Sequence, residues 1–299
     1  MNNFCIMENI LQRKNYGPPA SNVVEPASAF PLPYYEFFLQ EIVRLGIKVV
    51  TFKELFSDCE DWDYRNLYPL EHKHWLEKKS AKDTYLVIQH DVDNHPFFTE
   101  RMIALEAAYG IRSNIFIFCD RYTQKGPDPD YKIDHQYLLD AQQAGFVIGY
   151  HQNAFAMADF DMEKATQKYR EDIHKLREIY EIDFVVPHGG VGSVIDGKSL
   201  FNIDVPMPSE FEGNLRWVFN RYGLRFDKKW SDGGLRKARD LNRIRSFDLV
   251  REFLYKLKPG TRNFCLVHPQ RWGYNVDTEQ NPLLAQEAWY RDICSSNKT

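Results

Sequence analysis

Four separated stretches of this chain each run from apolar residues into a group that can bind a cation or carry a proton. The first is Tyr85-Leu-Val-Ile-Gln-His-Asp-Val-Asp93, followed by Asn94-His95-Pro96. A strand has a side-chain period of 2, so Asp91 and Asp93 share one face and His90 takes the other. Two carboxylates about 7 Å apart along one edge, at the end of a buried strand, call for a cation or a hydrogen-bond network. The plainer alternative is an Asx-type turn before Pro96. Three later stretches end in histidine: Phe146-Val-Ile-Gly-Tyr-His151, Phe184-Val-Val-Pro-His188 and Asn263-Phe-Cys-Leu-Val-His268. Two histidines and a carboxylate suit a divalent metal such as zinc, with a position left open for water. Such a metal makes water a useful nucleophile near neutral pH. A nearby carboxylate can accept its proton, and a separate histidine can protonate a leaving group.

Groups so far apart in the chain meet only if the fold brings strand ends together. A helix–Gly–strand unit recurs here. A helix over 97–109 ends at Gly110 and feeds a strand over 113–119. Another over 134–144 ends at Gly145 and feeds 146–151. A third, over 162–180 with Asp161 as N-cap, feeds 184–188. A helix over 247–257, closed by Pro259-Gly260, precedes the strand that ends at His268. Tandem units of this kind predict an α/β fold with parallel strands and outer helices, closed or nearly closed into a (β/α) barrel. In such barrels the active site lies at the carboxyl ends of the strands.

Upstream, Phe37, Phe38, Ile42 and Val43 recur at helical spacing before Gly46, and 47–52 reads as a strand. Residues 1–30, rich in Pro, Ser and Ala toward their end, read as a weakly structured N-terminal arm, which leaves 31–299 as a single domain. Residues 53–82 read as loops and short helical pieces. Residues 189–232 break the rhythm with Gly189-Gly-Val-Gly192 and Pro206-Met-Pro208, and read as a long irregular cover over the site. That segment ends at Lys228-Lys-Trp-Ser-Asp-Gly-Gly234, which resembles another strand end, although Ser-Asp-Gly-Gly is also turn chemistry. Asp232, Trp230, Trp272 and His95 lie beside the expected rim and are read as substrate-binding positions, the two indoles as platforms for a sugar ring. His72, His74, His135 and His174 lie in polar or helical stretches that face solvent.

The 299 residues are 43% hydrophobic with a net charge of −4, so the chain is globular and has no basic block suited to nucleic acid. No apolar run reaches the roughly 18 residues that span a bilayer. The N-terminus lacks a basic region followed by an apolar run, which predicts no secretory signal. Five scattered cysteines, never in a C-x-x-C pair, read as free thiols in a reducing cytoplasm, with Cys119 and Cys265 as core residues.

The order His-Asp-Val-Asp, Leu-Glu-x-x-x-Gly-Ile, Gly-x-x-Ile-Gly-Tyr-His and Leu-Val-His-Pro-x-x-Trp resembles the polysaccharide deacetylase (NodB-homology) superfamily over about residues 34–275. It is closer to a divergent His-Asp-Val-Asp branch associated with surface polysaccharide (O-antigen or capsule) biosynthesis. The resemblance implies a distorted (β/α) barrel and metal-dependent, most simply zinc-dependent, hydrolysis of an acyl group on a carbohydrate. Carried over, Asp91 matches the catalytic base, Asp93 the metal-binding aspartate, His151 the first metal histidine and His268 the general acid. Two departures stand out. Val92 separates the aspartates that are adjacent in the family, so base and ligand are exchangeable on sequence alone. Phe155 stands where the second metal histidine belongs, and His188 is the substitute that the chemistry suggests. The leading expectation is a sugar N-deacetylase. The others are a catalytically impaired carbohydrate-binding protein of the same fold, or another barrel reaction: a lyase, an epimerase or a non-sugar amidohydrolase.

Overall fold

The computed structural model describes residues 3–12, 28, 30–56, 81–123, 126–190, 192–218, 226–233 and 249–274. Its centre is β2 (Tyr85–Val92), in which only the first residue is less than fully buried. The near-continuous apolar run Leu86-Val87-Ile88 suits a strand covered on both faces of a parallel sheet. Around it lie β1 (Lys48–Val49), β3 (Asn114–Ile117), β4 (Val147–Gln152), β5 (Phe184–Pro187), β6 (Arg216–Trp217), β7 (Lys228–Ser231) and β8 (Arg262–Val267). They form one eight-stranded sheet in the order β6-β5-β4-β3-β2-β8-β7, with β1 also on β2, and every pairing is parallel. The chain steps outward from β2 to β6, crosses to the opposite edge at β7, and returns through β8 to the flank of β2.

Helices α3 (Phe97–Ala108), α4 (His135–Gln143) and α5 (Met162–Arg177) make the crossovers, and α1 (Asn3–Gln12) and α2 (Leu32–Arg44) pack outside the sheet. Asp134 and Asp161 cap α4 and α5, each side chain accepting from a backbone N–H three residues on. Ile115, Ile117, Ile148, Tyr150 and Val185 meet α1, α4 and α5 in one outer cluster. Leu86, Ile88, Cys265 and Val267 meet α2 in another. Inward-facing Val87, Phe116, Val147, Phe184 and Val186 form a third cluster, which also takes in Val218, just after β6, and Phe226, just before β7. Residues from both edges share one interior, so the sheet is curled into a half-barrel. Gly149 makes this interior possible: a Cβ there would meet the Phe116 ring at 2.4 Å. Phe52 and Phe56 plug the end where the strands begin, against Phe116 and Phe184. The mouth at the carboxyl ends stays polar.

Several expectations change. The N-terminal arm contains α1, whose Ile6 and Ile10 are buried against α3 and α4; their i, i+4 spacing is a helical signal. In α2 the buried face is Tyr34, Tyr35, Phe38, Leu39 and Ile42, while Val43 is 54% exposed. The strand expected over 47–52 stops at Val49, because Thr51 and Glu54 form a capping box that starts a short helix at Phe52. The segment 189–232 is not irregular throughout. It holds a hairpin (Gly192–Ile195 with Lys198–Phe201) and contributes β6 and β7 to the sheet. The helix expected over 247–257 is a π-turn, Leu249–Phe253, followed by a 3-10 turn, Leu254–Lys256. Most of 53–82, with His72 and His74, lies outside the described residues. Cys119 is half-buried and Cys265 buried, both as free thiols. Among the described residues, no helix is long and apolar enough to cross a membrane.

Candidate metal centre

The inward face of β2 reads Val87, Gln89, Asp91, and continues past the strand to Asp93. Parallel pairing sets β4 and β5 to deliver His151 and His188 to the same level, and β8 delivers His268 from the other flank. Asp93 is the hub. Its Oδ1 lies 3.1 Å from His151 Nε2 and 3.7 Å from His188 Nε2, and its Oδ2 lies 3.7 Å from His268 Nε2. Asp91 Oδ2 stands 3.9 Å from His151 Nε2, while its Oδ1 accepts from Gln89 Nε2 at 2.7 Å.

One ligand atom each from Asp93, His151 and His188 lies within 4.8 Å of the other two. Donors around a single zinc at ~2.0–2.2 Å stand roughly 3.3–3.6 Å apart, so this set fits one ion after small adjustments. Asp93, rather than Asp91, is the carboxylate nearest both histidines. The Phe118 ring stacks flat on His151 at 4.9 Å and meets His188 edge-on at 5.2 Å, giving the centre an apolar wall. His151 Nδ1 lies 3.3 Å from Val186 O, a second-nitrogen contact of the kind that orients metal-binding histidines.

Comparison with protein-family models, curated proteins and solved structures finds no match to this chain. The geometry therefore carries the argument about the site.

Electrostatics divide the labour. Burial pushes Asp93 up, but the hydrogen bond and charge of His151, with the charges of His268 and His188, outweigh it. The carboxyl is held well below the usual range. Burial, followed by the charge of His151, lowers His188 to about 4, so its ring is neutral with a lone pair available. Burial opposes charge on His151, yet Asp91 and Asp93 prevail and its pKa is raised. Burial raises Asp91, which favours its action as a proton acceptor. His268 is also buried, but the Asp232 charge and hydrogen bond overcome that and raise it to about 9. It is thus a cation at neutral pH.

Asp232 is fully buried. It pairs with His268 Nδ1, and its Oδ2 accepts from His268 N at 2.8 Å and from Trp272 Nε1 at 3.0 Å. Both of its oxygens are thus taken up by the chain's own donors, and none of the carboxylate reaches the surface where a substrate was expected to meet it. The two tryptophans are corrected likewise. Trp272 is 1% exposed and stacked on Phe30, and Trp230 is buried in the same outer cluster, so neither offers a ring face to a sugar. His95, at φ 44°, sets its ring edge-on to Phe97 and Phe98. His90 points away from the site and bonds Glu106 Oε1 at 2.8 Å. His135 and His174 are exposed. Phe155, where a metal histidine was sought, is buried in the outer cluster against Phe160.

Sequence reasoning missed Gln89, Gln270 and Asn202. Gln89 was within reach, since it lies two residues before Asp91 on the same face. Gln270 Nε2 approaches Asp93 Oδ2 at 3.5 Å from the turn after β8, which no periodicity reveals. A second cluster, Cys119, Asp120 and Asp172, also has ligand-like spacing, but Lys168 Nζ already pairs with both of its carboxylates. A side-chain ammonium supplies the cation there.

Proposed function

We propose that this protein is a metal-dependent hydrolase that removes an N-acyl group, acetyl being the simplest, from a sugar of a surface polysaccharide or its precursor. One observation carries the reading: Asp93, His151 and His188 converge at the mouth of a curled parallel sheet, with His268 on the other side of the Asp93 carboxylate. The order of motifs along the chain supports a distorted barrel of the polysaccharide deacetylase type and supplies the carbohydrate. The donor set, one carboxylate and two imidazoles, suits zinc. A divalent cation held there would supply Lewis acidity to an acyl carbonyl and acidify water.

The chain's own groups do the rest. Asp93, His151 and His188 would hold the ion. Asp91, fixed through one oxygen by Gln89, turns the other toward the cluster and accepts the proton of the attacking water. His268, kept cationic by Asp232, gives a proton to the departing amine. Asp93→Ala should abolish both zinc uptake and acetate release from an N-acetylated sugar. Acetate release by metal-free protein rejects the scheme, as does tight zinc binding by the variant. Zinc bound without acetate release from any acetylated sugar favours the sugar-binding reading or another barrel reaction.

A further inference from the structure

Among the described residues, the His188 ring has no hydrogen bond to orient it in the cluster. Its ring neighbours are Phe118 and His151, each edge-on at 5.2 Å. A metal-binding histidine ordinarily gives its second ring nitrogen to a carbonyl or carboxylate. His151 has Val186 O for this, whereas His188 has no such partner among the described residues. Its main chain is held instead. The His188 N–H donates to Gln152 O at 2.7 Å, and its carbonyl accepts from Asn202 Nδ2 at 3.0 Å.

Asn202 is fully buried. Its Oδ1 accepts from the N–H groups of Phe155 at 3.0 Å and Ala156 at 3.3 Å. Those donors open the short helix Ala154–Met157, whose own N-cap residue, Asn153, makes no side-chain capping bond. The first N–H groups of a helix have no partner within it, and a side chain 47 residues away serves them here. A single amide therefore ties the carbonyl of His188 to the segment that carries Phe155. It also bridges the two ends of the stretch that bears the hairpin 192–201.

We infer that Asn202 is a positioning residue of the metal centre: it clamps the His188 main chain to the first turn of the 154–157 helix and so sets where the His188 ring stands. The clamp rests on the metal-centre reading given above. In place of a ligand on that helix, the chain uses the helix as an anchor for a ligand just past the end of β5.

The test is a zinc titration of the full chain against a chromophoric chelator, with Asn202→Ala and Asn202→Asp made both alone and in a His188→Ala background. Asn202→Asp keeps the acceptor for Phe155 and Ala156 but loses the donor to His188, so it separates the clamp from the helix cap. Each single variant should weaken zinc by about 10- to 100-fold. In the His188→Ala background that further loss should vanish, because the two residues act on one ligand. Cobalt bound to Asn202→Asp should show a visible spectrum displaced from that of the wild-type chain. Wild-type zinc affinity in Asn202→Asp, or an equal loss in both backgrounds, overturns the clamp and leaves the centre standing. A wild-type chain that takes up no zinc overturns both. If Asn202→Ala does not fold, Asn202→Asp decides the matter.

Discussion

Asp232→Asn is the substitution whose consequences follow most directly from the geometry. Two donors, His268 N and Trp272 Nε1, point at Oδ2, while His268 Nδ1 and Arg271 Nη1 point at Oδ1. An asparagine can keep its oxygen at only one of these places. With the oxygen facing the backbone N–H and the indole, its NH2 faces His268, which can accept only as a neutral ring. The imidazolium therefore loses its partner and Arg271 loses an acceptor. In the metal-free wild-type protein His268 is raised to about 9, against 6.5 for the free group. A raised histidine stabilises the fold fully below its unfolded pKa, and that contribution is lost as pH climbs through the folded value. A difference of about 2.5 pH units is worth at most ~3 kcal/mol. Because the largest upward influence is Asp232, nearly all of it should disappear in the variant. Urea unfolding of both metal-free proteins should show a gap that is about 3 kcal/mol wider at pH 6 than at pH 9.5. A residual gap of about 1–2 kcal/mol from the other lost hydrogen bonds should persist at both. NMR titration should move His268 to 6.5 or below in the variant. A gap that does not change with pH, or a wild-type His268 that titrates near 6.5, refutes this account.

Three further outcomes follow from the same structure. Zinc binding should be coupled to proton release, because an imidazole ligates only when deprotonated and the two aspartates raise the pKa of His151; affinity should fall as pH drops, and calorimetry in buffers of different ionisation enthalpy measures the protons directly. Gly149→Ala would drive a Cβ into the Phe116 ring and to 3.0 Å from Phe184 O, so it should destabilise the fold by about 1–3 kcal/mol, read as a lowered denaturation midpoint. Trp272→Phe should cost about 1–3 kcal/mol through the lost bond to Asp232 while leaving sugar affinity unchanged; a large loss of sugar affinity at unchanged stability would restore Trp272 to the substrate site.

Much of this arrangement was legible from strand periodicity. Side-chain alternation put Asp91 and Asp93 together and His90 opposite, and the coordinates place them so. The cap at Asp161 gave the start of α5, while Asp134, read as the first residue of α4, proves to be its cap. What escaped depends on distance or on direction. Asn202 meets Phe155 across 47 residues, and no local pattern encodes such a partner. Trp272 lies four residues beyond His268, but the 3-10 turn Pro269–Arg271 between them sends the indole outward and leaves the imidazole facing the mouth. Thr51-Phe-Lys-Glu54 carried a readable capping signal, obscured by the apolar run that precedes it. In α1, the Ile6 and Ile10 stripe was overshadowed by the proline-rich stretch that follows.

The sheet order has a consequence for how the molecule is made. β8 is last of the eight strands in sequence, yet it lies between β7 and β2, and it brings His268 with it. Until residues beyond 260 leave the ribosome, β2 presents a bare flank six residues long at the middle of the future sheet, and β7 lacks the one partner it has among the described residues. An open strand edge of that kind invites pairing with other chains. A chain cut short before β8 would therefore lose more than its proton donor. It should accumulate as aggregate rather than as a smaller folded protein, because the final strand of this sheet acts as its keystone.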